Sequence, residues 1–221
     1  MAWREHLTLI NFPTTSVLLS LAVLGSILAE EVFLDRVLLF VAQIFLGGSV
    51  AANHFDELLD RPWHTKMPGS HLWFVATTSL LAFVAIGLYL SIEVSLIFVS
   101  FVIAESFVIL AYNLELFGGV FHNATTLGIS WGLVFLGGYY LQDTTFSPMM
   151  LLVTALICVC SMQGIELYER GKSFGKDGSY ADPQAKSAWE TLLIGILTVD
   201  AITVILVIYR FLPFIFSLIR F

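Results

Sequence analysis

Seven apolar runs, each about as long as a membrane is thick, constrain the fold of this chain more than any other feature. They cover residues 8–29, 32–53, 71–92, 94–114, 120–141, 147–167 and 188–210. A helix of about 20 apolar residues crosses roughly 30 Å of hydrocarbon. Because lipid offers no hydrogen bonds to the backbone, a segment that satisfies its own N–H and C=O groups is favoured there. The sequence therefore predicts an all-α protein, a polytopic transmembrane helical bundle of about seven spans.

Composition supports the same class. Hydrophobic residues make up 58% of the 221 positions and charged residues only 12%, against roughly 25% charged in an average soluble domain. The mean hydropathy is +0.89. We therefore interpret residues 1–221 as a single integral membrane domain. The net charge of −7 reflects acids clustered at a few places, so it does not indicate a nucleic-acid partner.

Two polar segments interrupt the apolar pattern, one after the second run and one after the sixth. Their sequences are HFDELLDRPWHTKMPGSH and YERGKSFGKDGSYADPQAKSA. With seven spans, these segments, the fourth loop and the N-terminus share a side, and that side carries Arg4, Arg61, Lys66, Arg170, Lys172, Lys176 and Lys186. The other side carries Arg36, Arg210 and Arg220. The positive-inside rule then predicts a multi-pass protein with its N-terminus and both acid-rich loops in the cytoplasm.

The first polar segment opens with an acid stripe. Asn53, Asp56 and Asp60 follow the i, i+3, i+7 spacing of one helical face, and Glu57 lies at its edge. Like charges at this spacing destabilise a helix unless something neutralises them. A hard divalent cation does so, and Mg²⁺ is commonly held by one or two carboxylates together with water and phosphate oxygens. The stripe therefore predicts a Mg²⁺ site.

The second polar segment opens with a matching stripe, in which acids alternate with cations. Gln163, Glu166 and Arg170 share a face, and Glu169 lies beside them. Two such stripes on one side would form a pocket for a diphosphate bridged by Mg²⁺, where cations stabilise the departing charge. The residues expected to contact the diphosphate are Asn53, Arg61, Lys66, Gln163, Arg170 and Lys172. The alternative is that these acids are solvated residues that merely flank helix ends.

With these motifs in order, the chain resembles the UbiA superfamily of intramembrane prenyltransferases. The likeness rests on four blocks: DELLD followed by KMPGS, then AYNLELFGGVFHN, then GISWGLVFLGGYYL, and the second acid stripe. It departs from the family pattern in two respects. Glu stands in the second stripe where Asp is usual, and about seven spans are predicted where nine are usual. The chain is thus similar to a short, divergent member, with one wall open to lipid or to a second copy.

The resemblance implies a Mg²⁺-dependent transfer of a prenyl group from a prenyl diphosphate to a hydrophobic aromatic or lipid acceptor. By position it assigns metal binding to Asn53, Asp56, Asp60, Glu166 and Glu169, and catalysis to Asp56, Asp60 and Glu166. A terpene cyclase on the same scaffold and a non-catalytic isoprenoid-binding membrane protein remain open as alternatives.

Two ionisable residues lie inside predicted spans, Glu105 in the fourth and Asp200 in the seventh. Such groups are costly in the membrane and usually face a cavity or a polar partner. Neither belongs to a motif of the resemblance, so both stay outside the predicted catalytic set. The five histidines show no spacing typical of metal ligands, and the sequence predicts no transition-metal site.

Overall fold

The computed structural model describes residues 2–59, 61–177 and 183–219, with side chains for 5–59, 61–171 and 183–213. In chain order its helices are α1 (Ala2–Leu9), α2 (Phe12–Ile27), α3 (Leu34–Ile44), α4 (Ala52–Leu59), α5 (Gly69–Glu93), α6 (Phe98–Asn113), α7 (Ala124–Asp143), α8 (Pro148–Asp177) and α9 (Pro183–Ile219). A π-helical segment, Phe45–Ala51, joins α3 to α4. Throughout these residues all regular structure is helical, and the predicted all-α class is confirmed.

Each predicted apolar run coincides with a helix or with one continuous helical segment. In the described parts of the chain, four segments are long and apolar enough to cross a membrane: Leu34–Leu59, Gly69–Glu93, Pro148–Gly171 and Pro183–Pro213. Phe12–Ile27 and Phe98–Asn113 are apolar but shorter. Four such helices support the prediction of a membrane protein. Seven crossings remain a prediction.

Both acid stripes begin inside long helices and not in the loops that follow them. The second run predicts a span ending at residue 53, but the helical segment continues to Leu59. Its π-helical part contains Gly47, whose Cβ would lie 2.3 Å from the Phe83 ring. π-helical turns, which hold about one residue more than an α-helical turn, often lie at functional sites. The sixth run likewise extends as α8 to Asp177, so the orientation of each stripe is set by helix packing.

Helix α7 packs tightly between α2 and α8 because glycine lines both contacts. A Cβ on Gly25 of α2 would lie 1.9 Å from the carbonyl oxygen of Phe135, and one on Gly138 would lie 2.5 Å from that of Ala22. Two further glycines of α7 approach α8 in the same way, Gly128 and Gly132. Small residues that let backbones approach closely are typical of helix pairs in membranes. This packing fixes the wall on which much of the cavity described below is built.

At the end of the bundle opposite the acid stripes, two arginines bind carbonyls at helix C-termini. Arg36 donates to the carbonyl of Leu141 at 2.9 Å, in the last turn of α7. Arg210 of α9 donates to the carbonyl of Ala29 at 3.0 Å, just beyond α2. Cations at these positions satisfy unpaired carbonyls and complement the helix dipole. Both arginines therefore stabilise the fold at this end.

Candidate functional site

The loop that follows α4 is organised around Glu57, which is fully buried. Its carboxylate accepts hydrogen bonds from the backbone N–H of Trp63 at 3.0 Å and from the N–H and hydroxyl of Thr65 at 2.7 and 2.8 Å. Arg61 donates to the carbonyls of Thr65 at 3.1 Å and Met67 at 3.3 Å. Glu57 and Arg61 therefore hold the loop in place. Arg61 does not line the cavity described next, and its contact with a diphosphate stays a prediction.

A cavity of about 700 Å³ is lined by residues of α2 to α9, within the 300–1,000 Å³ typical of small-molecule sites. Residues from the middle of the helices make its deep wall apolar, among them Leu18, Leu21, Ile44, Phe83 and Val134. Residues near the helix ends on the side of the acid stripes make its rim polar: Asn11, Asn53, Asp56, Tyr112, Asn113, His122, Gln163, Tyr168 and Glu169. The cavity thus has a polar end and an apolar depth, the shape that suits an amphiphile.

At the polar end, acids from the two predicted stripes meet. Asp56 of α4 and Glu169 of α8 both line the cavity. Each carboxylate also interacts electrostatically with the hydroxyls of Tyr112 and Tyr168. Asn53, one turn before Asp56, lines the same cavity, as does Gln163. Four of the predicted site residues are therefore brought together at one end of one cavity.

Two predicted residues of α8, Glu166 and Arg170, do not line the cavity. Glu166 and Arg170 form an ion pair at 3.5 Å in which both side chains are more than half exposed. Gly164 and Tyr168 of α8 do line it. Glu166 lies two residues from each, and its exposed side chain pairs with Arg170 beside the lining residues instead of entering the cavity. The predicted roles of Glu166 and Arg170 at a shared site are not supported by this geometry.

Three more predicted residues complete the account. Lys66 is exposed and does not line the cavity. Asp60 lies outside the described residues, and so does the side chain of Lys172. Among the residues that the structure describes, no Lys or Arg lines the cavity.

The structure adds aromatic residues to the rim that were not predicted as site residues. Tyr112, at the end of α6, stacks on His122 with ring centroids 4.3 Å apart. His122 Nδ1 lies 2.9 Å from the Tyr112 carbonyl, to which it donates. Trp63 also lines the rim, and its indole N–H has no partner among the described residues. Tyr112 and His122 belong to the AYNLELFGGVFHN block, so the resemblance marked the segment without naming the residues.

A chain of three histidines holds α4 in place beside Asn53 and Asp56. His6 Nδ1 lies 3.0 Å from His54 Nε2, and His6 Nε2 lies 3.1 Å from His71 Nε2. His54 Nδ1 lies 2.7 Å from the Val50 carbonyl, which can only accept. His54 therefore carries its hydrogen on Nδ1 and accepts from His6 Nδ1–H, and neutral His6 then accepts from His71 Nε2–H. This chain ties α1 and α5 to α4.

The histidine spacing in the sequence did not reveal this contact, because the three residues come from three helices. In the described part of the chain, no group of three or more His, Cys, Asp or Glu side chains is arranged to hold a metal ion. His6 also uses both ring nitrogens within the chain. We therefore interpret the histidine chain as a structural link.

Comparison of the sequence with protein-family models and with curated proteins, and of the fold with solved structures, found no match. Membership of the UbiA superfamily accordingly remains a prediction from the order of the motifs.

Proposed function

We propose that this chain is an intramembrane prenyltransferase that binds a prenyl diphosphate at the polar end of the cavity and passes its prenyl group to an aromatic or lipid acceptor. One observation carries the proposal. Asp56 and Glu169, which come from opposite halves of the sequence, line the same end of a cavity whose depth is apolar. A charged head and a hydrocarbon chain match those two ends.

The donor set at the rim fits Mg²⁺. Asp56 and Glu169 offer carboxylate oxygens, and Asn53 and Gln163 offer amide oxygens. Mg²⁺ prefers oxygen ligands and often takes only one or two carboxylates, with its other positions filled by water and substrate phosphate. In this proposal Glu169 keeps its predicted metal role and also takes the catalytic role that the sequence prediction gave to Glu166. Bound there, Mg²⁺ would supply positive charge to the departing diphosphate.

The side chains of the rim hold and orient the diphosphate. Tyr112 and Tyr168 lie on the rim, and their hydroxyls can donate to the anionic oxygens of a diphosphate, which accept strong hydrogen bonds. The C1–O bond of the prenyl diphosphate breaks, and its electron pair leaves with the diphosphate. The apolar wall excludes water from the allylic cation, and the face of Trp131 on that wall can stabilise it. A carbon or oxygen of the acceptor then bonds to C1 and loses a proton.

The membrane arrangement follows from the same proposal. All seven long helical segments, α2, α3–α4 and α5–α9, would cross the bilayer, with the polar end of the cavity on the cytoplasmic side. The apolar depth would then lie within the hydrocarbon, where a prenyl chain and a lipid-soluble acceptor both partition.

Asp56→Asn tests the proposal against a matched control, Glu166→Gln. Purified protein is incubated with Mg²⁺, a panel of prenyl diphosphates and a membrane extract, and products are identified by mass spectrometry. Removing the Asp56 charge should lower product formation about 100-fold or more, as for other electrostatic groups in active sites. Glu166→Gln should stay within about twofold, because Glu166 pairs with Arg170 away from the cavity. Equal loss in both variants, or none in Asp56→Asn, would contradict the assignment.

A non-catalytic isoprenoid-binding protein is the second candidate, and one observation favours it. Among described residues the cavity lining contains no Lys or Arg to neutralise a diphosphate. A binding protein of this kind would retain a prenyl alcohol as well as its diphosphate, without Mg²⁺ and without turnover. A terpene cyclase differs from both, because it would form product in the absence of the membrane extract.

A further inference from the structure

A second group of polar side chains lies deep in the cavity, where α6 faces α7. Glu105 is only 7% exposed, and it lines the cavity together with Ser130. The Ser130 hydroxyl donates to Glu105 Oε2 at 2.6 Å. Glu105 precedes Tyr112 of the rim by seven residues, which in an α-helix corresponds to roughly 10 Å of depth. The site described above makes no use of this acid.

The other carboxyl oxygen of Glu105, Oε1, is buried and lacks a hydrogen-bond partner among the described residues. A void of about 10 Å³ adjoins Glu105 on the side of α3, and Gln43, which is 1% exposed, lines it with an equally unpartnered oxygen. Buried polar atoms are nearly always hydrogen-bonded. Glu105 itself lines the ligand-sized cavity, so rotation of its carboxyl would present an unpartnered acceptor to a polar group of a ligand there.

We propose that Glu105, oriented by Ser130, binds a hydroxyl group of the acceptor, so that the acceptor is a phenol or an alcohol. The inference rests on the proposed function, which requires two ligands in one cavity. The hydrocarbon chain of a prenyl diphosphate has no hydrogen-bond donor to offer at this depth, whereas an acceptor hydroxyl has one. A hydroxyl can also donate to a carboxylate or accept from a protonated carboxyl, so it fits either state of Glu105.

The chain contains a matched control for this pair. Asp200 of α9 accepts a hydrogen bond from Ser20 of α2 at 2.7 Å. This is again an acid and a serine joined between two apolar helices, but neither residue lines the cavity. Changes to Asp200 therefore report the general cost of altering an intramembrane acid without touching the proposed ligand site.

Binding of two probes that differ only in the hydroxyl group tests the inference. The probes are 2-naphthol and 2-methoxynaphthalene, measured by equilibrium dialysis of the purified full-length chain against protein-free micelles of the same detergent. The wild type should bind 2-naphthol about tenfold more tightly, the worth of one net hydrogen bond. Glu105→Leu should bind both probes equally, whereas Asp200→Asn should keep the tenfold preference.

Folding is checked by size-exclusion elution and thermal melting. Should Glu105→Leu fail to fold, Glu105→Gln keeps the shape and one acceptor oxygen, and its preference should fall to about threefold. Equal binding of the two probes by the wild type would overturn the inference, and so would an undiminished preference in whichever of these variants folds. Dialysis needs neither Mg²⁺ nor diphosphate. Absent prenyl transfer with an intact probe preference would therefore reject the enzyme proposal alone.

Discussion

Asp56 and Glu57 are neighbours in α4 with the same charge, yet their surroundings separate them completely. Asp56 lines the cavity. Glu57 is fully buried against the loop that follows the helix and accepts three hydrogen bonds there. Successive helical residues point about 100° apart, so one acid can serve a ligand while the next supports the backbone. The loop that Glu57 holds also carries Trp63 to the rim of the cavity.

Replacing Glu57 with Ala should destabilise the protein without removing an atom from the cavity lining. The change leaves the N–H groups of Trp63 and Thr65 without their acceptor, and each buried unpaired group costs about 1–3 kcal/mol. We expect the free energy of unfolding to fall by about 2–4 kcal/mol, measured by thermal or denaturant unfolding in detergent. Glu166→Ala removes an exposed acid and should change it by less than about 0.5 kcal/mol. Similar losses in the two variants would argue against a structural role specific to Glu57.

Between elements, α7 is held by close backbone contacts on two sides. At its contacts with α2 and α8 the helices approach so closely at glycines that an added Cβ would clash with the neighbouring helix. Its C-terminal half is almost entirely buried, whereas about half of the apolar side chains described in α9 are exposed. Because lipid tails are as apolar as the helix surface, burying that surface against another helix brings little hydrophobic gain. Close packing of the backbones contributes to helix association instead. The cavity wall that α7 forms therefore depends on small residues.

Gly25→Ala tests this packing at the contact between α2 and α7. The added Cβ would lie 1.9 Å from the Phe135 carbonyl oxygen, a backbone atom that cannot turn aside. Overpacking of this kind costs about 1–3 kcal/mol, and a lower melting temperature in detergent should report it. Gly195→Ala is the control, because a Cβ there meets nothing within 4 Å and alanine favours a helix by about 1 kcal/mol. A stable Gly25→Ala protein would mean that α2 and α7 can separate freely.

Over the whole molecule, two arrangements differ in how many of the seven helical segments, α2, α3–α4 and α5–α9, cross the membrane. Four have the required length and apolarity, while α2 and α6 are shorter. The positive-inside rule predicts that the loops after α4, α6 and α8 share the cytoplasmic side. If only the four long segments crossed, the loop between α6 and α7 would lie on the other side. This loop therefore separates the two arrangements.

Labelling of single cysteines in intact cells distinguishes seven membrane crossings from four. In a background with Cys158 and Cys160 replaced by Ala, cysteine is introduced at Lys66, Val120 or Thr145, all at exposed positions. With seven crossings, Lys66→Cys and Val120→Cys react only after permeabilisation, whereas Thr145→Cys reacts with an impermeant maleimide from outside. Val120→Cys labelled from outside together with Thr145→Cys would show that α6 and α7 do not each cross.

The sequence by itself determined that the chain is helical, where its apolar segments lie and that acids gather near the ends of two of them. These properties are local, because a run of apolar residues and the 3.6-residue period belong to each segment alone. Both stripes can be recognised in the sequence, and four of their residues, Asn53, Asp56, Gln163 and Glu169, line one cavity. Their roles stay predictions.

Only the tertiary structure decided which acids of each stripe face a common space. That choice depends on the rotation of each helix, which is set by partners distant in the sequence. Glycine contacts hold α7 against its neighbours. Glu166 forms an ion pair with Arg170 outside the cavity. Glu57 forms hydrogen bonds with the loop after α4 and so does not line the cavity. Helix packing likewise brings His6, His54 and His71 together and places Glu105 deep in the cavity. No spacing within one segment encodes them, because each requires several helices to pack first.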